Sequence, residues 1–453
     1  DFFKKSYLLG ESLVKNRNWF FLKDQIQDVK SFGAYSLCNQ VEYLEEGIPF
    51  LRCINIKNSQ VDFSNVFYIN EKAHALLWKS EVKPGMLLLT MSGSAGNVAI
   101  AYETWKYPVN SNQDIAKIDC SGGINSYYLY AFLITKYGFN QIQRQLVGSV
   151  QQHIFLWQIE RLFIPSLEID FQNTIESVIK LSNQTAESSK DLYIQAEELL
   201  LSELGLNDWQ PIADTIAVKR FSDSWGGCDR GDAEYYQPQQ QQVMAVMRRS
   251  GLSIQDIAQL AKRKFQPENQ GTFDYIEIGN LSGEGFANSE VVEMEDAPSR
   301  AQWIVEPNDV ITSTVRPIRR LSALIEEDQD NFVCSSGFVV LEPIRVEPEV
   351  LLVYLRLPVV CEILDLHTTA SMYPAISTED LLNIPVTLPD DSICQIVKKK
   401  VRASRTAREQ SKQLLEIAKT GVERAIEEDE ERAIAWMNHQ LETLEINHEA
   451  QKH

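Results

Sequence analysis

Residues 82–100 read VKPGMLLLTMSGSAGNVAI, and residues 305–325 read VEPNDVITSTVRPIRRLSALI. The valine and the proline that begin the two stretches align at an offset of 223 residues. In each stretch an apolar run leads through a short polar turn into a second apolar run, which is the pattern of a β-hairpin. The chain therefore carries one hairpin design twice.

The glycine-containing turn of the first hairpin does not have the pattern of a nucleotide-binding loop. A phosphate-binding loop ends in Lys-Ser or Lys-Thr, and no such pair follows Gly96. A dinucleotide-binding fingerprint needs three glycines, whereas only Gly93 and Gly96 are present. Residues 98–101 continue as a strand rather than as a helix, so a hairpin turn is the preferred interpretation.

Four further segments recur in the same order and at nearly the same spacing, as expected of an internal duplication. The pairs are FLRCINI at 50–56 with YIEIGNL at 275–281, VNSNQDIAKI at 109–118 with VCSSGFVVLE at 333–342, INSYYLYAFL at 124–133 with VEPEVLLVYL at 346–355, and RLFIPSL at 161–167 with LLNIPVTL at 381–388.

A long polar helix is predicted after each Ile-Pro pair, over residues 172–205 and 391–426. At an offset of 222 the two helices share one heptad seam of mostly small residues. Small seam residues let helices approach closely, which favours an antiparallel coiled-coil pair. The seam positions are Ile175, Val178, Ser182, Thr185, Ser189, Leu192, Ala196 and Leu199, matched by Val397, Lys400, Ser404, Ala407, Ser411, Leu414, Ala418 and Gly421.

The predicted fold class is α+β with an internal pseudo-repeat, in which two similar modules of short strands are separated and joined by the two long helices. The heptad spacing of Ile434, Met437, Leu441 and Leu444 marks the acidic tail as an amphipathic packing or partner helix. The predicted segments are a first module at 1–171, a helix at 172–205, a second module at 206–390 that begins with a leading stretch 206–249, a helix at 391–426 and the tail at 427–453.

The composition excludes several classes of protein. Apolar residues make up 44% of the 453 residues and charged residues 23%, as in ordinary globular proteins. No run of 18 apolar residues predicts a membrane span, and no leader pattern is present. The seven cysteines and six histidines are dispersed without metal-ligand spacing, so we expect no metal site and a reducing, cytoplasmic location.

The net charge of −20 by itself argues against nucleic-acid binding, because phosphate affinity comes from Lys and Arg. The basic run KKKVRASRTAR at 398–408 shows that the charge is unevenly distributed. Such a run is usually a solvated helix face, and it could also contact a DNA backbone or an acidic partner.

Two similar modules joined by helices suit a two-part target such as duplex DNA. Asn and Gln can pair with adenine, and arginine forks match guanine or phosphate, although polar residues also fill ordinary turns. The candidate contacts are Ser92, Ser94, Asn97, Asn110, Ser111, Asn112, Gln113, Gln151, Gln152 and His153 in the first module, and Ser313, Thr314, Arg316, Arg319, Arg320, Ser335, Ser371 and Tyr373 in the second.

Nearly the whole chain resembles the specificity subunit of type I restriction–modification systems. The resemblance is carried by KPGMLLLTMSGSAGN at 83–97, by Ser-Asn-Gln at 111–113, by GSVQ at 148–151 and by RGDAEYYQP at 230–238. The second hairpin departs from the family pattern, because STVRPIRR at 313–320 stands where a glycine-rich turn is typical.

The resemblance implies two target-recognition domains, each of which reads one half of an asymmetric bipartite site in double-stranded DNA. It also implies two methyltransferase subunits that modify adenine N6 with S-adenosylmethionine, and restriction (motor) subunits that use ATP and Mg. This chain itself would hold no cofactor. The helix residues expected to dock the partner subunits are Leu192, Ala196, Leu199, Ala407, Leu414 and Ala418.

The residues also predict that the chain is not an enzyme. An amino-methyltransferase needs an Asn/Asp-Pro-Pro-aromatic loop, and the sequence contains no Pro-Pro dipeptide and no Walker motif for an ATP motor. Two alternatives stay open. One is the specificity subunit of a related, type IIB-like system that cleaves on both sides of its site. The other is a coiled-coil scaffold that joins two protein-binding modules, which the acidic net charge favours.

Overall fold

The computed structural model describes residues 4–31, 41–148, 152–207, 216, 218–224, 233–281, 283–369 and 373–444. The chain forms two compact units. The first unit runs to Ala186 and resumes at Glu409, and the second unit is Glu187–Arg408. The two unit boundaries lie 222 residues apart, which equals the offset of the predicted helix seam.

Short strands and helices of the first unit alternate along the chain. The strands are β1 (Trp19–Phe21), β2 (Asp28–Lys30), β3 (Ile48–Leu51), β4 (Ile56–Lys57), β5 (Gln60–Val61), β6 (Phe67–Ile69), β7 (Glu81–Val82), β8 (Leu87–Thr90), β9 (Val98–Ile100), β10 (Val109–Ser111), β11 (Ile115–Asp119) and β12 (Phe163–Pro165). The helices are α1 (Lys5–Lys15), α2 (Glu71–Leu76), α3 (Ser126–Ile134), α4 (Lys136–Gln145), α5 (Leu156–Ile159) and the beginning of α6 (Ile169–Leu204).

The second unit repeats this alternation. Its strands are β13 (Leu252–Ser253), β14 (Ala258–Leu260), β15 (Thr272–Ile276), β16 (Glu290–Glu293), β17 (Ala301–Ile304), β18 (Val310–Ser313), β19 (Ser322–Leu324), β20 (Val333–Ser335), β21 (Phe338–Pro343), β22 (Thr368–Thr369), β23 (Ala375–Ile376) and β24 (Pro385–Val386). Its helices are α7 (Pro238–Met247), α8 (Ile254–Ile257), α9 (Pro348–Arg356), α10 (Pro358–Leu366), α11 (Thr378–Leu382) and the beginning of α12 (Asp391–Glu427), and α13 (Glu430–Thr443) belongs to the first unit.

The sheets of the two units have the same topology. One four-stranded sheet has the order β6-β3-β10-β7 in the first unit and β16-β15-β20-β17 in the second. In both sheets the two central strands are parallel. A second, antiparallel sheet has the order β2-β11-β8-β9 and is matched by β14-β21-β18-β19. The hairpin design identified in the sequence is β8–β9 in one unit and β18–β19 in the other, so the predicted pseudo-repeat is confirmed.

The duplication extends to single hydrogen bonds around the Ile-Pro segments. The hydroxyl of Tyr128 donates to the carbonyl of Pro165 at 2.6 Å. In the second unit the hydroxyl of Tyr354 donates to the carbonyl of Pro385 at 3.0 Å. In each unit, therefore, a buried tyrosine on the helix after the parallel strands holds the strand that leads into a long helix.

The two long helices run antiparallel and touch through buried serines. The Ser182 hydroxyl donates to the Ser411 carbonyl at 2.8 Å, and the Ser411 hydroxyl donates to the Ser182 carbonyl at 2.7 Å. In the second unit the Ser189 hydroxyl donates to the Ser404 carbonyl at 2.7 Å. One heptad forward on α6 and one heptad back on α12 lead from the first pair to the second, as an antiparallel seam requires. The predicted small-residue seam is confirmed.

The seam residues that we expected to dock partner subunits lie instead inside their own units. Ala196 is fully buried in the apolar core of the second unit, and Leu414 and Ala418 are fully buried in the core of the first. Leu192, Leu199 and Ala407 are half-buried. Because seam positions pack helix against helix, the three buried side chains are closed to a partner, and the docking prediction is corrected for them.

Helix α13 packs on the first unit. Ala433 and Met437 are fully buried in its core. A Cβ added at Gly421 of α12 would lie 2.3 Å from the Met437 sulfur, so the missing side chain of Gly421 makes room for α13. None of the helices in the described part of the chain is long and apolar enough to span a bilayer.

We expect Ser182→Leu to destabilise the first unit by about 1–3 kcal/mol, because a larger side chain would be forced between two touching helices. The midpoint of urea denaturation should fall. Ser177→Leu is the matched control, since Ser177 lies exposed on the same helix. Equal midpoints for the two variants would contradict the close helix contact.

Candidate nucleic-acid interface

Three polar segments of the first unit are joined at the backbone of Met91, at the start of the hairpin turn. The Met91 amide donates to the Asp114 carbonyl at 2.7 Å, and the Ile154 amide donates to the Met91 carbonyl at 2.9 Å. The turn, the loop after β10 and the chain before α5 therefore form one surface. We call this surface, residues 91–97, 111–114 and 152–154, site 1.

The second unit builds the same frame from different residues. The Thr314 amide donates to the Gly337 carbonyl at 2.9 Å, and the Ile376 amide donates to the Thr314 carbonyl at 2.9 Å. These atoms correspond to those of the first unit at offsets of 222 to 223 residues. We call the equivalent surface, residues 313–321, 335–337 and 373–376, site 2.

Amide and hydroxyl groups dominate the accessible part of site 1. Ser94 and Gln152 are exposed, whereas Asn97, Asn112, Gln113 and His153 are half-buried. The Asp114 carboxylate accepts hydrogen bonds of 3.2 Å from the side-chain amides of Asn112 and Gln113, which orients both. Site 1 can therefore offer oriented donors and acceptors to a polar ligand.

Other predicted contacts of site 1 point into the protein. Asn110 and Ser111 are fully buried, and the Asn110 amide oxygen accepts from the Ser80 hydroxyl at 2.6 Å. Ser92 is also buried. Since these side chains are enclosed, the prediction that they contact a ligand is corrected to a role in holding the loops. Gln151 lies outside the described residues.

The turn of site 1 needs its second glycine. Gly96 has a φ of +100°, and an added Cβ would lie 2.9 Å from the Gln143 side-chain nitrogen. That nitrogen donates to the Ala95 carbonyl at 3.2 Å and so holds the turn against α4. The glycine-rich sequence therefore serves the backbone of the turn.

Site 2 replaces this turn with a basic one. Arg316 adopts a left-handed backbone conformation with φ of +51°. Its guanidinium carbon lies 5.8 Å from the ring centre of Tyr373, whose side chain is 70% exposed. Arg319 is exposed at the tip of the same turn, beside Ile318. Site 2 thus presents arginines and an aromatic ring.

Four predicted contacts of site 2 are engaged inside the unit. Ser313 and Ser335 are buried, and the Thr314 hydroxyl donates to the Gly337 carbonyl at 3.1 Å. The Arg320 guanidinium pairs with Glu197 on α6, so its charge is already balanced. These findings correct the prediction that these side chains are directed at a ligand. Ser371 lies outside the described residues.

The structure adds residues that the sequence did not indicate. The exposed Ser336 donates its amide to the carbonyl of the exposed Arg300 at 2.7 Å, which places Arg300 beside site 2. Arg300 lies outside the segments that align between the repeats, so no sequence signal marked it. At site 1, Phe155 is 45% exposed and contacts His153, with ring centres 4.9 Å apart.

Several members of the basic run 398–408 bind within the second unit. The Lys398 amine lies 2.7 Å from the Glu347 carboxylate. Arg402 lies 2.6 Å from Glu349. The Arg405 guanidinium donates to the Leu324 carbonyl at 2.7 Å. These contacts fasten α12 to its own unit, so this part of the run is not a solvated helix face.

A buried lysine supports the loop of site 1. Lys117 on β11 is fully buried, and its amine donates to the Ser111 hydroxyl at 3.0 Å. Burial, together with the positive charge of Lys30, lowers the pKa of Lys117 to about 7. The loop that carries Asn112 and Gln113 therefore rests on an amine that loses its proton near neutral pH.

No protein-family model matches the chain. A curated relative is the type I restriction enzyme HindI specificity subunit of Haemophilus influenzae, which is 25% identical over 142 residues, or 30% of this chain. The match spans 31% of that protein's length. It confirms the resemblance to type I specificity subunits that the sequence motifs predict.

Solved structures of the same kind are also similar in extent. The S subunit of a type I restriction–modification system from M. genitalium has 13% identity and a TM-score of 0.38, with 95% of this chain and 96% of that chain covered. The HsdS subunit from Thermoanaerobacter tengcongensis has 14% identity and a TM-score of 0.31, with 91% and 97% covered.

We expect Lys117→Met to flatten the pH dependence of stability. Lysine in the unfolded chain titrates near ~10.4. Between about pH 7 and pH 10 the unfolded state therefore binds the extra proton, and stability rises with pH by up to about 1.4 kcal/mol per unit. Below pH 7 both states are protonated and this contribution levels off. Urea midpoints from pH 6 to 10 would measure the effect, with exposed Lys57→Met as the control. Parallel curves for wild type and Lys117→Met would contradict the assignment.

Proposed function

We propose that the chain is the DNA-specificity subunit of a type I restriction–modification complex, with site 1 and site 2 each reading one half of a bipartite, asymmetric target. One observation carries the proposal. The two sites share the same backbone hydrogen bonds and carry different side chains, as two readers of two different sequences would. The curated relative is a specificity subunit, which supports the same role.

The side chains of site 1 suit base edges in the major groove. Asn and Gln can pair bidentately with adenine, and hydroxyls can contact any base. Ser94, Asn97, Asn112, Gln113 and Gln152 are the accessible polar groups, and His153 lies beside them. Phosphate contacts position a protein and base contacts specify the sequence, so these uncharged groups are proposed as base readers.

The side chains of site 2 suit guanine or phosphate. An arginine fork matches the O6 and N7 atoms of guanine. Arg319 is exposed at the tip of the turn, and Arg316 is held over the ring of Tyr373. We assign the base contact to Arg319 and a supporting contact to Arg316 and Tyr373. Arg300 is close enough to site 2 to reach the DNA backbone.

The partners follow from the same proposal. A chain with a net charge of −20 needs partner subunits to supply positive surface around the DNA. Two adenine methyltransferase subunits using S-adenosylmethionine, and motor subunits using ATP and Mg, would perform the chemistry in the cytoplasm, and this chain would be non-catalytic. Ile194 on α6 and Ile396 on α12 are exposed apolar residues that replace the buried seam residues as candidate methyltransferase contacts.

The test is a methylome. The chain would be expressed with its neighbouring methyltransferase gene in a methylation-free host, and modified adenines would be sequenced directly. We expect a split motif with two specified halves and a fixed gap. Arg319→Ala should relax only one half, since losing a bidentate base contact costs about 1–3 kcal/mol of discrimination.

Arg345→Ala is the matched control, because Arg345 is an exposed arginine of the same unit outside site 2. It should leave both halves unchanged. A complex that co-purifies and methylates no defined motif would sink the DNA-reader proposal. The scaffold alternative would then gain support if partner binding were insensitive to salt, whereas DNA binding should weaken steeply as salt rises.

A further inference from the structure

A buried arginine lies between the hairpin of site 2 and helix α6. Arg356 is 1% exposed, and its Nε donates to the Tyr193 hydroxyl on α6 at 2.8 Å. Its Nη1 donates to the Arg320 carbonyl at 2.5 Å and to the Ser322 carbonyl at 3.2 Å, both on the hairpin. One side chain thus links the end of the turn to the long helix.

Arg320 closes the link from the hairpin side. Its Nε donates to the Arg356 carbonyl at 2.6 Å. Its Nη2 pairs with the carboxylate of Glu197, one helical turn beyond Tyr193 on α6. The Glu197 side chain is 14% exposed, so this ion pair is partly shielded from solvent and salt. Two guanidinium groups share this single carboxylate.

Site 1 has no such arrangement at the matching positions. Asn97 takes the place of Arg320, and its side-chain nitrogen donates to the Ile56 carbonyl at 3.1 Å. Tyr130 takes the place of Arg356, and its hydroxyl donates to the Ser59 carbonyl at 2.6 Å. Both bonds run to the β4–β5 ribbon, whereas in site 2 the corresponding side chains reach a long helix.

We propose that Glu197, on the long helix α6, is a positioning residue that sets the sequence discrimination of site 2 and leaves that of site 1 untouched. The inference rests on the proposed function. A carboxylate that balances two guanidinium groups fixes the left-handed end of the turn at Arg320. That end lies directly beside Arg319, and base readout requires placement within a fraction of an ångström.

Removing the carboxylate leaves two like charges close together in a poorly solvated place, and such groups move apart or draw in water. The displaced segment is the turn that carries Arg319. A merely structural role for Glu197 would lower the stability of the unit without preferentially relaxing one half of the motif. The half read by site 2 is defined independently by the Arg319→Ala variant.

The experiment compares methylomes of the full complex with wild-type chain, Glu197→Ala, Glu197→Gln and Glu198→Ala. Glu198 is the matched control, since it is the exposed neighbour with the same charge. We expect Glu197→Ala to raise methylation at sites mismatched in the site 2 half by about tenfold, the size of one lost base contact. Glu197→Gln keeps a hydrogen-bond acceptor and should show a smaller change.

Hydrogen–deuterium exchange provides a second readout on the same complexes. Exchange over 314–322 should rise in Glu197→Ala, while exchange over 91–97 stays at the wild-type level. Unchanged discrimination at both halves, or equal relaxation of both, would overturn the inference while the proposed function stands. A wild-type complex that methylates no split motif removes the proposed function and the inference with it. If Glu197→Ala does not accumulate, Glu197→Gln and Tyr193→Phe take its place under the same criteria.

Discussion

Close contact between α6 and α12 is the constraint on which both units depend. The contact is possible because Ser182, Ser189, Ser404 and Ser411 are small and can satisfy their hydroxyls on the carbonyls of the facing helix. Larger residues would separate the helices, and unpaired hydroxyls would be costly to bury. Each unit packs its apolar core on one half of this pair, so each core includes residues from both helices.

The two sites illustrate how a repeated frame can carry different chemistry. Main-chain hydrogen bonds, which do not depend on side-chain identity, join the turn, the loop and the returning chain in both units. Side chains then diverge, with amides and hydroxyls at one site and arginines with a tyrosine at the other. The supports beneath them diverge as well, since Lys117 lies under one loop and Arg356 under the other hairpin.

The sequence could predict the features that depend on local pattern. Recurring segments indicated the duplication, the heptad spacing of small residues indicated the helix pair, and Pro84 with the turn at 92–97 indicated the hairpin. Side-chain direction could not be predicted this way, because Asn110 and Ser111 read as loop residues and are enclosed by the packing of β10. Arg320 and Arg319 are adjacent in the sequence, and only the position of Glu197, 123 residues away, separates their roles.

The spacing of the serine pairs limits how the long helices can change in length. Ser182 and Ser189 are one heptad apart on α6, and their partners are one heptad apart on α12. An insertion in only one helix would leave one hydroxyl facing a position without its partner. Equal insertions of whole heptads in both helices would keep every hydroxyl opposed to a carbonyl. Length variants that still fold are therefore expected in matched pairs, so that the two helices evolve as one unit.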